Sequence, residues 1–411
     1  MAFSPLAALA AHDAVICFHL DWPGVIPRES PRMPIRPLGR TALIAALACA
    51  VADIAAAATV PTDNPRITAM DNAVDAAAAS FFSSRCHAGL SIAVVTKDGS
   101  HVYNYGVANR ETGTLPRADS VYEIASVTKS FTATLAAYAV HSGKMSLDGD
   151  FRGYLASPYP NLARDGHPIT LATLLTHRSG MPRDIPDTDA VFAAKNPRTL
   201  PAALIQLAQG QDERTFLSAL RKMPLRSTPG TAEQYSNAGF LLIGAGLEHV
   251  YGMPYETLLR KRILEPLGMA STTLTLAPAL KAREVTGYDM FGQPTPDHPA
   301  NAGAAWGLWS TPEDLARYVR WQLDSANPVV TLSHRALVHG ADEDVAMAWH
   351  LEQAKGEPVV SHGGGSFGTS SQVVLFPRSG QGFALLANDT CKGTEGALKT
   401  LAIDAHSGAA P

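Results

Sequence analysis

The chain has 411 residues, 46% hydrophobic and 17% charged, with a formal net charge of −4. That fits one large globular domain or two ordinary ones, with enough apolar side chains for a sizeable core. No polybasic run and no repeat of roughly 20–50 residues stands out, which argues against nucleic acid or anionic lipid as a partner and against a solenoid.

The first 85 residues read as separate from that core. Met33 to Arg40 is short and basic, and Thr41 to Ala58 is apolar apart from Asp53, ending in small residues. A charged start, an apolar middle and a small-residue end make the order of a secretory signal. The signal is placed at 33–58, residues 1–32 are expected to be a non-native extension ahead of a start at Met33, and 59–85 form an N-terminal segment with a helix. The apolar run barely reaches the roughly 20 residues of a span. No stable membrane span is expected after signal removal, and the mature chain is expected in the periplasm or secreted. Cys86 and Cys391 are the cysteines left after the signal.

Gly89 to Thr96 is β-rich, Asp98-Gly99 is a hairpin turn, and His101 to Val107 returns. Ser130 to Val140 has a helical composition closed by Gly143. Ile169 to His177 reads as a short helix. Pro201 to Ala208 and Glu213 to Leu225 read as a helical insertion within 183–230. Helices follow at Ala238 to Val250 and Tyr255 to Ile263, then a loop over 294–304. Pro312 to Leu323 is a helix capped by Thr311. Strands are expected at Val345 to Glu352, Pro358 to His362, Gln372 to Phe376 and Gly382 to Asn388, before a last helix from about Thr394 to His406. Strands at both ends around a helical middle predict an α/β (α+β) fold: one antiparallel sheet flanked by terminal helices, with an all-helical lobe inserted. The boundaries drawn are 86–160 and 290–408 for the sheet domain and 161–289 for the helical one.

Three motifs fit this layout. Ser126-Val-Thr-Lys129 opens the helix at 130, and positions three apart share a helix face. A serine is a poor nucleophile until a neighbour takes its proton, which a neutral lysine can do. Tyr235-Ser-Asn237 can point two polar side chains into one cleft if locally extended. His362-Gly363-Gly364-Gly365 at a strand end lets a substrate backbone approach closely. Each motif alone is weak, and a solvated helix face, a turn or a glycine-rich loop would account for it.

Their order makes the chain resemble the serine β-lactamase and penicillin-binding superfamily, specifically the class C β-lactamase-like serine hydrolases. The similarity runs over roughly 88–400 and extends to phrases such as Thr170 to Pro182, Pro266 to Met269, Gly307 to Asp314 and Ala384 to Asn388. The resemblance implies a β-lactamase/transpeptidase-like fold and no cofactor or metal. It implies Ser126 as the acylated nucleophile, Lys129 as its deprotonating partner, and Tyr235 as the proton shuttle. Asn237, His362 and Gly364 would bind substrate, and the backbone amides of Ser126 and Gly365 would form the oxyanion hole. A D-Ala-D-Ala carboxypeptidase or endopeptidase of peptidoglycan is the expected activity, with β-lactam or small-ester hydrolysis as alternatives. A β-lactam-acylated sensor that barely turns over is the non-enzyme alternative. The substrate is thus a peptide or small molecule. Histidine stands where many relatives carry lysine, so a cation titrating near about 6.5 is expected at His362. In the implied fold the first and last strands are antiparallel neighbours, which would bring Cys86 beside Cys391 for a disulfide; two independent buried thiols are the alternative.

A competing pattern, Gly364-Gly-Ser366-Phe-Gly368, matches Gly-x-Ser-x-Gly, with Asp389 or Asp404 and His406 as nominal partners. The α/β-hydrolase fold needs a sheet around such a serine, and the chain after Gly368 is too short to build it. No His/Cys/Asp cluster shows metal-ligand spacing.

Overall fold

The computed structural model describes residues 60–84, 86–194, 196–297 and 302–409. The expected signal at 33–58 and the extension at 1–32 lie outside the described residues.

The fold is β-lactamase/transpeptidase-like, an antiparallel sheet covered by helices. Its strands are β1 (Gly89–Thr96), β2 (Gly99–Gly106), β3 (Val338–His339), β4 (Asp344–Val345), β5 (His350–Ala354), β6 (Glu357–Gly365), β7 (Ser370–Phe376) and β8 (Gln381–Ala387). They form an eight-stranded sheet in the order β2-β1-β8-β7-β6-β5-β4-β3. The expected strand from 345 to 352 is interrupted: Trp349 is fully buried, and Ala348 takes a left-handed φ of 61°. The chain therefore bends between β4 and β5.

Alternate residues of the central strands enter two cores, because side chains in a strand point to opposite faces. Leu90, Ile92, Val374, Phe383 and Leu385 pack with Val74, Phe81, Leu398 and Ala402. These last four lie on α1 (Ala69–Phe81) and on the C-terminal helix Thr394–Gly408. Ala93, Val95, Val373, Leu375 and Leu386 enter the other core with Phe131, Phe240 and Tyr318. Those belong to α2 (Thr128–His141), α5 (Asn237–Tyr251) and α6 (Pro312–Gln322). Between α2 and α5 come α3 (Leu200–Ala208) and α4 (Glu213–Leu220); α4 stops short of the expected Leu225. With the C-terminal helix as α7, the sheet is buried on both faces. This explains why its strands read as nearly continuous apolar runs. Thr311 caps α6 by accepting from the Asp314 amide at 3.2 Å.

β1 and β8 are antiparallel neighbours with Leu90 opposite Ala387. Cys86 precedes one strand and Cys391 follows the other, and they are bridged with a Cα separation of 6.1 Å. His87, Asp389 and Cys391 group together, but the bridge occupies the Cys391 sulfur. Among the described residues no helix is long and apolar enough to cross a membrane.

The bridge closes a loop of 305 residues. Chain-entropy models give such a loop up to about 5 kcal/mol. Cys86→Ala/Cys391→Ala should therefore lower the urea midpoint, and unfolded wild type without reductant should titrate with no free thiol from this pair. Two reactive thiols would refute the bridge.

Candidate active site

Ser126 sits in a tight 3₁₀ turn, Ala125–Val127, that leads into α2. Ala125 before it has φ 45°. A non-glycine residue there costs about 1–2 kcal/mol, so the turn must be held from outside. Thr369 Oγ1 donates to the Glu123 carbonyl at 3.0 Å, and Ser371 Oγ donates to the Ile124 carbonyl at 2.7 Å. Ser366 Oγ donates to the Glu123 carboxylate. Ser366 is thus a buried clip between the β6–β7 turn and the segment leading to Ser126, which accounts for the serine of the competing Gly-x-Ser-x-Gly pattern.

α2 carries Lys129 one turn on, fully buried. Its Nζ lies 3.0 Å from Ser126 Oγ, 2.8 Å from Asn237 Oδ1 and 2.8 Å from the Ala305 carbonyl. Two of those partners can only accept, so two N–H bonds are committed to them. The third tetrahedral position faces Ser126 Oγ, and holds a proton in the ammonium or a lone pair in the amine. A proton can pass between Oγ and Nζ without movement of either side chain.

Tyr235 OH is 2.6 Å from Ser126 Oγ. Lys129 Nζ lies 4.8 Å from its ring centroid and the Arg183 guanidinium 5.0 Å. Both groups lie over the Tyr235 ring within cation–π range. The His177 ring lies tilted at 34° to that of Tyr235 with centroids 4.3 Å apart, and it accepts from the Ser236 amide at 3.1 Å. Burial, followed by the charges of Lys129 and its neighbours, holds His177 well below the usual imidazole range, so it is a neutral prop. Asn237 spans Lys129 and Asp184, with Nδ2 donating to Asp184 Oδ1 at 2.8 Å.

β6 runs on past its pairing with β5, which ends at Ser361 opposite His350. The edge from His362 to Gly365 is thereby open toward a cleft of about 740 Å³ lined by Gly363 and Gly365. Gly365 and Ser126 also line a common smaller cavity. A Cβ on Gly364 would lie 2.6 Å from the Ile124 carbonyl oxygen and 2.8 Å from the Ser126 nitrogen. Gly364 therefore permits the close approach of β6 to the turn that carries Ser126.

His362 departs from expectation. It is 4% exposed, and its Nδ1 hydrogen-bonds the Ala348 carbonyl. Burial first, then the charges of His350 and Lys129, push its pKa down to about 3; the Ala348 and Ser126 carbonyls favour the protonated ring but are outweighed. His362 is a neutral hydrogen-bonding group at physiological pH, not a titrating cation. The sequence gives no measure of that burial. Glu395, on the cleft wall, is pushed up to about 8 by burial despite Arg183 and Lys129. Ala305, Asp184, Arg183 and Glu395 carry no motif that would single them out; His177 falls within the Thr170 to Pro182 phrase.

The family model described as Beta-lactamase matches residues 70–407. The chain is 29% identical over 266 residues to a beta-lactamase of Lysobacter lactamgenus, covering 63% of this chain and 62% of that protein's length. It is 26% identical over 363 residues to the D-alanyl-D-alanine-carboxypeptidase/endopeptidase AmpH of Escherichia coli (strain K12), covering 84% of this chain and 90% of that one. In fold it is similar to a beta-lactamase/D-alanine carboxypeptidase from Pseudomonas syringae, with TM-score 0.70 and 23% identity over 84% of this chain and 100% of that chain.

Two outcomes follow from this geometry. Gly364→Ala should leave the far-ultraviolet circular dichroism native while cutting kcat by at least about a hundredfold, as for loss of an aligned nucleophile; near-normal kcat would show that β6 and the turn have slack. A histidine whose folded pKa is depressed contributes stability that is present above its unfolded value and lost as pH falls toward the folded one. Urea stability should therefore decline from about pH 6.5 toward the folded value of about 3. His362→Gln should shallow that decline, and an unchanged slope would place the loss elsewhere.

Proposed function

Since the chain belongs to the Beta-lactamase family, it is a serine hydrolase, and we propose that it is exported and cleaves D-Ala-D-Ala-type peptides of peptidoglycan through an acyl-enzyme on Ser126. The observation that carries this reading is a serine hydroxyl bonded at once to a buried lysine at 3.0 Å and a tyrosine at 2.6 Å. Ser126 Oγ attacks the carbonyl carbon as its proton passes to Lys129 or Tyr235. The backbone amides of Ser126 and Gly365 are the donors assigned to the oxyanion. Tyr235 delivers the proton to the departing amine, the C–N bond breaks, and water later attacks the ester with the same groups as base.

The peptidase reading is supported by the AmpH relative, whose printed name carries both carboxypeptidase and endopeptidase activity. Neutral His362 supports the endopeptidase half of it, because a terminal D-Ala-D-Ala carries a carboxylate just as a β-lactam does. A β-lactam presents a carboxylate that a permanent cation would hold, and His362 supplies none. A peptide bond inside a chain carries no such charge. β-Lactam and small-ester hydrolysis use the same acyl-enzyme and are the second reading, favoured by the beta-lactamase relative. Export is supported by the signal-like segment at 33–58 and by the Cys86–Cys391 bridge, since disulfides persist in oxidising compartments.

The test is intact-protein mass spectrometry after exposure to a fluorescent penicillin, a D-Ala-D-Ala peptide and a nitrophenyl ester, with turnover measured for each. Fastest turnover is expected with the peptide; a stable adduct with no turnover of any substrate would instead describe a sensor. Ser126→Ala should abolish labelling, and Ser366→Ala should still label. Lys129→Ala and Tyr235→Phe should each slow acylation by about 10²–10⁴-fold. Labelling that survives in Ser126→Ala and vanishes in Ser366→Ala would overturn the assignment.

A further inference from the structure

Beside the larger cleft, Ser126 lines a separate cavity of about 90 Å³. Its lining is mostly apolar, with Ile185, Phe192, Leu204, Leu207, Trp306 and Phe367 set beside the polar Arg183, Asp184, Thr188, Asn237 and Ser366. Several of these come from the segment between Arg183 and Ala208, which no motif covers.

Two further observations say what the cavity takes. α3, with the sequence Leu-Pro-Ala-Ala-Leu-Ile-Gln-Leu-Ala, is almost wholly apolar, yet within it only Leu200 is buried. Leu204 and Leu207 remain half-buried where they face the cavity. Such a surface gains free energy when an apolar group covers it. The polar groups at the mouth are meanwhile engaged with one another. Asp184 accepts from Asn237 Nδ2 at 2.8 Å and from Thr188 Oγ1 at 2.5 Å. The Arg183 guanidinium lies over Phe192 at 4.7 Å and over Tyr235 at 5.0 Å. Asp184 and Asn237 thus already have hydrogen-bond partners within the protein.

We propose that this cavity receives the side chain of the acyl group that Ser126 attacks, and that it selects a short alkyl group. A dry cavity of about 150 Å³ accommodates benzene; the volume of about 90 Å³ here corresponds to about three or four carbons. A D-alanyl methyl enters with room to spare, and a long acyl chain does not fit. The inference rests on the reading that Ser126 is acylated. Because the alkyl group belongs to the acyl half, it remains with the enzyme when the bond to the leaving group breaks. The same selectivity is therefore expected whatever leaves.

The experiment compares nitrophenyl esters from acetate to octanoate on the full-length protein. In the wild type kcat/KM should rise by about fourfold per methylene to an optimum near butyrate or valerate, then fall. Leu207→Trp, which fills the cavity, should move the optimum toward acetate. Leu204→Ala/Leu207→Ala, which enlarges it, should move the optimum toward longer chains. Circular dichroism and stoichiometric labelling of Ser126 by a small fluorophosphonate confirm that each variant is folded. An optimum that stays in place in both variants, or a rate that climbs through octanoate in the wild type, overturns the proposal and leaves the acyl-enzyme reading intact. Hydrolysis that survives in Ser126→Ala overturns both.

Discussion

The site depends on one buried amine. Lys129 has no exposure to solvent, and burying such a group without partners would cost several kcal/mol. Its acceptors come from three separate places: the serine turn before α2, Asn237 at the start of α5, and Ala305 in the short helix Gly303–Trp306. Only when those three segments are docked is the amine satisfied. The same docking places Ser126 and Tyr235 in contact, so the catalytic geometry and the packing of the α2–α5 core form together. The two carbonyl acceptors also fix the amine's orientation, leaving its remaining position aimed at the hydroxyl.

The sheet supplies the rigid half of the arrangement. Its central strands are buried on both faces, and β6 projects beyond its neighbour β5 to leave an open edge at the cleft. The Ser126 turn is held beside that projection by hydrogen bonds from Thr369 and Ser371 at the start of β7. Gly364 lets the two backbones meet. A left-handed alanine just before Ser126 is tolerated because external contacts from Thr369 and Ser371 hold the turn.

Electrostatics in the cleft follow burial more than residue type. A histidine is nominally the side chain that titrates near neutrality, yet His362 is neutral because desolvation outweighs the two carbonyls that favour its proton. Glu395, nominally an anion, is pushed up to about 8 by the same effect. The wall beside β6 therefore carries less charge at neutral pH than its composition suggests, and this shapes which substrates can be held there.

The sequence by itself determined the fold class and the positions of most helices and strands, and it singled out Ser126, Lys129, Tyr235 and the β6 motif, which the structure brings together. Those features are local: helical spacing puts Lys129 beside Ser126, and alternation or continuous apolarity marks strands whatever they pack against. The chain bend at Ala348, the charge state of His362 and the double engagement of Asn237 were decided by tertiary structure. So were the partners Ala305, Asp184 and His177 and the apolar cavity under α3. Each depends on what is brought near from distant parts of the chain, and on how much water is excluded there. Neither quantity is written in the local pattern of residues, because desolvation and hydrogen-bond pairing are properties of a place in the folded molecule.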